Sequence, residues 1–442
     1  NGLLGLSCNE LASYSRTQHK SQGFGVSVRR GSTREYLQLL KGDKVSEEIT
    51  DGIPSGWARY GWPEGDKMLA SIIQDFDPAQ PSSSIPQMLD ILERSAAIQD
   101  DRNRQWFQSE LKQIIASALG LHLEIIANRE YVSGNSEQQL QLELINRSPM
   151  EVKLLSVSLN DQNLLATKRE ISLSYNALTT LDIDVAFPEE ISQPYWWARP
   201  YDKMFTVTDQ ELIGQPENKN TLPLELSLVV EGRKLTFEPE PLYKFTDRVE
   251  GEIKRPVVIT PGVVVNASES NLVFVDDQPQ VLDLEIRNFS GADQQIQLVA
   301  QGWQITPEEI ELSATDGDGW QNQKITMAPG NNSKSADELK LLANGEELQS
   351  LTEIDYPHID KRVVFKPVRV KLVQLDLKKR GERIGYIEGA GDRVPDALRQ
   401  MGYEVQMLNR EQIMGGDLSQ FQAIVAGIRA YNTQDWLPGV QE

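Results

Sequence analysis

The spacing of hydrophobic positions changes twice along the chain. Up to Gly120 apolar residues recur at helical intervals. Leu11 and Tyr14 fall one turn apart in Ser7–Ser15, before Gly23 and Gly25 stop any helix. Met68, Leu69, Ile72 and Ile73 follow, then a break from Pro78 to Pro86. Met88, Leu89, Ile91 and Leu92 form one amphipathic stripe, and Leu111, Ile114, Ile115, Ala118 and Leu119 form another, closed by Gly120. Residues 1–35 read as a short helix and a glycine-rich basic segment, and 36–120 as a helical subdomain. From Leu121 the period drops to two: Leu121, Leu123, Ile125; Leu140, Leu142, Leu144; Leu222, Leu224, Leu226, Leu228. Short alternating strands separated by Asn, Gly, Pro and Asp predict a β-sandwich.

The strand pattern resumes after Pro256 and Pro261, and one stretch repeats. Leu140-Gln141-Leu142-Glu143-Leu144-Ile145-Asn146-Arg147-Ser148 matches Leu282-Asp283-Leu284-Glu285-Ile286-Arg287-Asn288-Phe289-Ser290, an offset of 142 positions (282 minus 140). Each is a strand with alternate residues inward, then an Asn/Ser turn. The offset is the length of a sandwich plus linker. It predicts two similar sandwiches, residues 121–250 and 255–378, joined through Gly251–Pro256. After Arg383 the class changes again. Strand-like Arg383–Glu388, a turn, helix-like Val394–Met401, and strand-like Tyr403–Leu408 and Phe421–Gly427 read as the opening of a doubly wound, flavodoxin-like α/β domain over 383–442. The fold class is thus multidomain α+β.

The net charge of −21 argues against nucleic acid or an anionic membrane as partner. No run approaches the roughly 18 apolar residues of a membrane-spanning helix. A single cysteine, Cys8, precludes an internal disulfide and reads as a small buried hydrophobe. The Asn1 start and the Glu442 end both read as cut.

Chemistry is sparse. His19, His122 and His358 stand alone in three regions, with no paired-histidine spacing and no second cysteine, so no metal site is expected within the chain. Gly389-Ala390-Gly391 follows a strand and precedes a helix, but Val394 occupies the third glycine position of a dinucleotide fingerprint. Asp392 and Pro395 explain the segment as a helix start. No nucleophile elbow occurs, and no catalytic residue is assigned. Asp276-Asp277 and Asp316-Gly317-Asp318-Gly319 read as acidic turns. Pro194-Tyr195-Trp196-Trp197-Ala198-Arg199-Pro200-Tyr201 is unusual for a sandwich. Tyr195, Trp196 and Trp197 either stack on sugar rings or cover an edge or domain interface, the simpler reading. His19-Lys20 and Arg29-Arg30, among glycines in an acidic chain, read as a surface loop able to edge an anion or sugar site.

Six blocks resemble one family. They are Ser15-Arg16-Thr17-Gln18-His19-Lys20-Ser21-Gln22-Gly23-Phe24-Gly25, Pro194-Tyr195-Trp196, Val249-Glu250-Gly251-Glu252, Tyr356-Pro357-His358-Ile359, Gly385 through Pro395, and Ala426-Gly427-Ile428-Arg429-Ala430-Tyr431-Asn432-Thr433. In this order they are similar to the post-catalytic part of large bacterial LmbE-like (PIG-L, GlcNAc-phosphatidylinositol de-N-acetylase-like) deacetylases. The resemblance implies that 1–35 ends a deacetylase-like catalytic domain, with His19, Lys20 and Gln22 near its substrate. It implies that 383–442 begins a glutamine-amidotransferase-like domain. Zinc would belong to an N-terminal domain whose A-H-P-D-D-E motif is not in this sequence, so this chain has no cofactor of its own. The expected function is the non-catalytic portion of a zinc-dependent N-deacetylase acting on N-acetylated sugars or glycoconjugates. It would be exported to the periplasm or cell surface, with a cytoplasmic location as the alternative, and would meet an envelope protein or a second copy. The competing expectation is a non-enzymatic adhesion, scaffold or carbohydrate-binding component of the cell envelope.

Overall fold

In the computed structural model the described residues are 2–32, 34–42, 44, 47–48, 51–53, 56–165, 169–199, 203–218, 220, 222–314 and 319–440. Asp316, Gly317 and Asp318 of the acidic turn, Pro200 and Tyr201 of the aromatic run, and the two terminal residues lie outside them. The architecture is multidomain α+β, dominated by β-sheets arranged as sandwiches.

The first helix is Cys8–Thr17. It starts on a capping box, with Ser7 Oγ accepting from Glu10 N at 3.2 Å and Glu10 accepting from Ser7 N at 2.9 Å. None of its residues is buried. Cys8 is exposed, contrary to the buried role expected of it, because this helix lays no face on a core.

Helices then cover Gly65–Asp75, Ile85–Arg94 and Asp101–Ala118. Within 36–120 the regular helix among the described residues lies in these three segments: described residues 36–53 are irregular, although the whole span 36–120 was expected to be helical. Pro86 sits in the first turn of the second of these helices, where its missing N–H costs nothing. Asp100 caps the third by accepting from Asn103 N at 2.7 Å. Gly120, at φ +60°, ends it in the left-handed conformation that glycine adopts without penalty. The buried stripe of these helices, including Ile85, Leu89, Ile98, Ile115 and Leu119, belongs to the same continuous core as Ile125, Leu140, Leu142, Leu226 and Leu228 of the following sheets. Helices and first sandwich are therefore one packed unit, although the change of period at Leu121 had suggested two.

One sheet of that sandwich runs Gly251–Pro256, Pro241–Asp247, His122–Ala127, Glu137–Ile145, Thr179–Ala186. The facing sheet carries Val152–Leu159, Glu225–Val230 and Arg233–Phe237. Gly251–Pro256, expected as the linker, is the edge strand, antiparallel to Pro241–Asp247 with Lys244 opposite Lys254. The second sandwich has two six-stranded sheets around its own core, with Leu282, Leu284 and Ile286 from the repeated strand pointing inward.

The repeated turn is the same structure twice. Asn146 Oδ1 accepts from Ser148 N and Oγ at 3.0 and 2.8 Å, and its Nδ2 donates to Met150 O at 2.9 Å. Asn288 Oδ1 accepts from Ser290 N and Oγ at 3.0 and 2.7 Å, and its Nδ2 donates to Ala292 O at 2.8 Å. Both asparagines are buried, so the amide substitutes for water on the backbone of each turn.

A third, small core joins the sandwiches. Tyr131–Ser133 pairs in parallel with Val258–Thr260. Tyr131 packs with Val264, Phe289, Leu351 and Phe365 of the second sandwich. The last segment is a three-strand parallel sheet ordered Glu404–Met407, Arg383–Ile387, Ala423–Ala426, with helices Val394–Gln400 and Arg410–Gly415.

Candidate ligand cleft between the sandwiches

The segment between Thr179–Ala186 and Glu225–Val230 leaves the first sandwich and lies along the junction. Ser192 fastens it: its N donates to Ile259 O at 2.8 Å, and its Oγ accepts from Ile259 N at 3.0 Å. Pro194, with extended ψ, then turns the chain into a short 3-10 helix, Tyr195–Trp197. Asn218 holds this turn from the returning chain. Its Oδ1 accepts from Tyr195 N at 2.9 Å, and its Nδ2 donates to Gln193 O. Tyr195 Oη donates to Gln215 O at 3.2 Å. All three aromatics are half-buried. Tyr195 meets Trp196 edge-on at 4.9 Å between ring centres, and Lys366 Nζ stands 4.7 Å over Trp197.

Two hollows flank this turn. One, about 340 Å³, has Trp196, Val258 and Ile359 on its walls and Glu217, Glu240 and Arg362 among its polar groups. The other, about 920 Å³, is bordered by Tyr195, Asp209, Asn220 and Gln349. Gln193 and Asn218 line both. Gln193 Oε1 is buried without a hydrogen-bond partner among the described residues, an arrangement folded proteins rarely leave unsatisfied.

The smaller hollow is electrostatically uneven. Arg362 pairs with Glu217 and, at 3.8 Å, with Asp360. Lys361 also lines it, but its ammonium goes to Glu130 at 2.9 Å and Glu353 at 3.1 Å. Glu240 has no ion pair or hydrogen bond among the described residues. Much of Glu240 meets solvent, yet the protein packed around its carboxyl raises its pKa, Arg362 opposes, and Asp360 and Glu217 add repulsion.

The other sequence candidates lie elsewhere. Gln18–Gly25 is exposed throughout. His19 Nδ1 is 3.2 Å from Gln22 Oε1 and its ring is 6.0 Å from Phe24, while Lys20 begins the turn Lys20–Gln22. Asp276 accepts from Gln278 N at 3.0 Å, an ordinary Asp turn. Asp392 is fully engaged: Tyr386 Oη donates to it, as do Ile428 N at 2.9 Å and Val394 N at 3.1 Å. The Tyr386 hydrogen bond is the leading reason its carboxyl stays below the usual range, and burial with that carboxylate pushes Tyr386 up to about 12. A Cβ on Gly427 would stand 2.7 Å from Tyr386 Oη, so this end of the sheet is closed by close packing.

Among the described residues, one group of donors lies close enough for a metal: His122, Glu124 and Glu143. Glu124 and Glu143 face each other across paired strands. Lys244 bridges them at 3.2 and 3.0 Å, and Lys254 also reaches Glu124. Burial works to raise the Glu124 pKa, but hydrogen bonds from Lys254 and Lys244 outweigh it and hold the carboxyl low. Two ammoniums already satisfy these carboxylates. With one histidine and both carboxylates already paired, the set reads as a cross-strand ion network.

The sequence pointed to Trp196 but not to Gln193, Glu217, Glu240 or Arg362. These come from segments far apart in the chain, and the one local signal is the placement of Glu240 between Pro239 and Pro241 at the start of a strand.

No family model and no curated protein matches the chain. Solved structures similar to parts of it include WR4, an MSP family member from C. elegans, 10% identical, covering 25% of this chain and 98% of that one, TM-score 0.17. The PapD-like domain 7 of human CEP192 is 14% identical, covering 30% and 99%, TM-score 0.18. A protein of unknown function from Porphyromonas gingivalis W83 is 13% identical, covering 57% and 99%, TM-score 0.16. The sandwich assignment rests on the sheets described above, and these likenesses add no argument about function.

Proposed function

We propose that this chain is the non-catalytic, sugar-handling portion of a zinc-dependent LmbE-like N-deacetylase acting on N-acetylated sugars or glycoconjugates, and that the inter-sandwich cleft is its saccharide site. One observation carries the reading. Two blocks of the family resemblance, Pro194-Tyr195-Trp196 and Tyr356-Pro357-His358-Ile359, lie more than 150 positions apart, yet Trp196 and Ile359 line the same hollow. The resemblance of residues 383–442 to a flavodoxin-like, amidotransferase-like domain belongs to the same reading, as does export to the periplasm or cell surface. Among the described residues no helix is long and apolar enough to cross a membrane.

The zinc ligands and the reacting water would be supplied by a domain outside this sequence, with the exposed Gln18–Gly25 loop as the part of this chain nearest to it. The test is the intact mass and metal content of the protein purified from its native source. A mass well above 49.7 kDa with about one zinc per chain supports the reading. A mass near 49.7 kDa without zinc overturns the deacetylase and leaves an envelope binding or scaffold protein.

A further inference from the structure

The smaller hollow has the chemistry of a site for a positively charged ligand with a ring to stack. Its lining carries three carboxylates, Glu217, Glu240 and Asp360, and two cations, Lys361 and Arg362. Lys361 is neutralised on its far side by Glu130 and Glu353. Arg362 offsets one of the three carboxylates, so two negative charges remain facing a space of about 340 Å³. Glu240, without an ion-pair partner among the described residues, is the carboxylate most available to a ligand. These carboxylates call for N–H or O–H donors and reject an anion. Trp196 supplies an aromatic wall, with Pro194, Pro216 and Pro256 beside it. Such a wall favours the C–H face of a sugar ring or an adjacent ammonium.

We propose that this cleft binds a pyranose bearing a protonated primary amine, an amino sugar, in preference to its N-acetylated or neutral counterparts. The ammonium would sit against Glu240 between Asp360 and Glu217, with the ring against Trp196. N-acetylation removes the positive charge and adds a carbonyl acceptor that faces carboxylates. This inference rests on the cleft being the saccharide site of the reading above, and it adds the charge preference.

The test is calorimetric titration of the full chain with three probes: a β-1,4-linked glucosamine tetramer, its fully N-acetylated form, and the glucose tetramer. The glucosamine tetramer is expected to bind about tenfold or more tighter than either other probe, the scale of one displaced charge contact. Glu240→Gln, with its fold checked by thermal melting, is expected to erase most of that preference. Trp196→Ala is expected to weaken all three, with thermal melting confirming that it folds. If the three probes bind alike and Glu240→Gln changes nothing, the charge preference is overturned and the saccharide site stands. If no probe binds, both are overturned.

Discussion

The chain has two junctions between folded parts, and they are built differently. Between the sandwiches there is strand pairing, a small apolar core and a buried cation. Lys361, with a side chain 8% exposed, lies between Glu130 and Glu353, and Tyr131 donates to Glu353 while Arg287 stands 4.9 Å over the Tyr131 ring. Between the second sandwich and the parallel sheet the contacts are thin. Arg393 reaches Glu269 and Ser268 O, and Gln400 Oε1 accepts from Val273 N at 3.2 Å. A ligand cleft needs walls that hold their spacing, and only the first junction has the dry, cross-braced construction that fixes one.

The sharpest way to break this contrast is Lys361→Met. It removes the cation shared by Glu130, which keeps Arg255, and by the more exposed Glu353, which keeps Tyr131. A loss of about 2–4 kcal/mol is expected, below that of a fully buried pair because one carboxylate meets solvent, read by urea denaturation as a lower midpoint or as two separated transitions. A change under about 1 kcal/mol would mean the apolar core alone holds the junction. Next are Asn146→Ala and Asn288→Ala, each expected to cost about 1–3 kcal/mol by stranding buried turn groups. The two losses should be similar because the two turns are bonded alike, and unequal losses would show that the repeat is not energetically equivalent.

Acid should separate the sandwiches before it unfolds them. Burial pulls the Glu353 pKa upward, but hydrogen bonds from Tyr131 and Lys361 bring it below the usual value. A carboxyl with a depressed folded-state pKa contributes in full above its unfolded value, about 4.3, and loses that contribution as pH falls through the folded value. Scattering between pH 6 and 3 is expected to show an increase in size only below the ordinary glutamate range, and an increase above it would break the assignment. The smallest effect is expected for Arg393→Ala. Exposed as that pair is, the unfolding free energy should change by no more than about 0.5 kcal/mol, while limited proteolysis between Leu375 and Glu382 should quicken. Unchanged cleavage would mean the parallel sheet is held as firmly as the sandwiches.

The parts of this design that are local are legible in the sequence. Helical stripes, alternation within strands and the Asn/Ser turn each depend on neighbours within a few positions, and Leu140–Leu144 or Leu282–Ile286 announce their inward faces directly. Gly251–Pro256 was not legible. It shows no clear alternation and is partly exposed, and only its pairing with Pro241–Asp247 makes it a strand, with Lys254 and Arg255 on the edge of the sheet. Cys8 misled because burial was inferred from residue type, while the helix that carries it has no core to face. The cleft was half legible: Trp196 stands out by composition. Gln193, Glu240 and Arg362 do not, because their proximity comes from packing one sandwich against the other.

Parallel pairing of Tyr131–Ser133 with Val258–Thr260 also sets an order of events during synthesis. The partner that satisfies Tyr131 is Glu353, 222 positions later, and Glu130 draws its cations from Arg255 and Lys361, 125 and 231 positions later. The helices and first sandwich can close their shared core while still attached to the ribosome. Until the Val258–Thr260 strand is made the Tyr131 edge stays open, and until Glu353 is made the Tyr131 hydroxyl lacks its acceptor. A nascent chain paused near residue 250 would therefore display a strand edge complementary to its own unmade half, a site where a second nascent copy can exchange with the first.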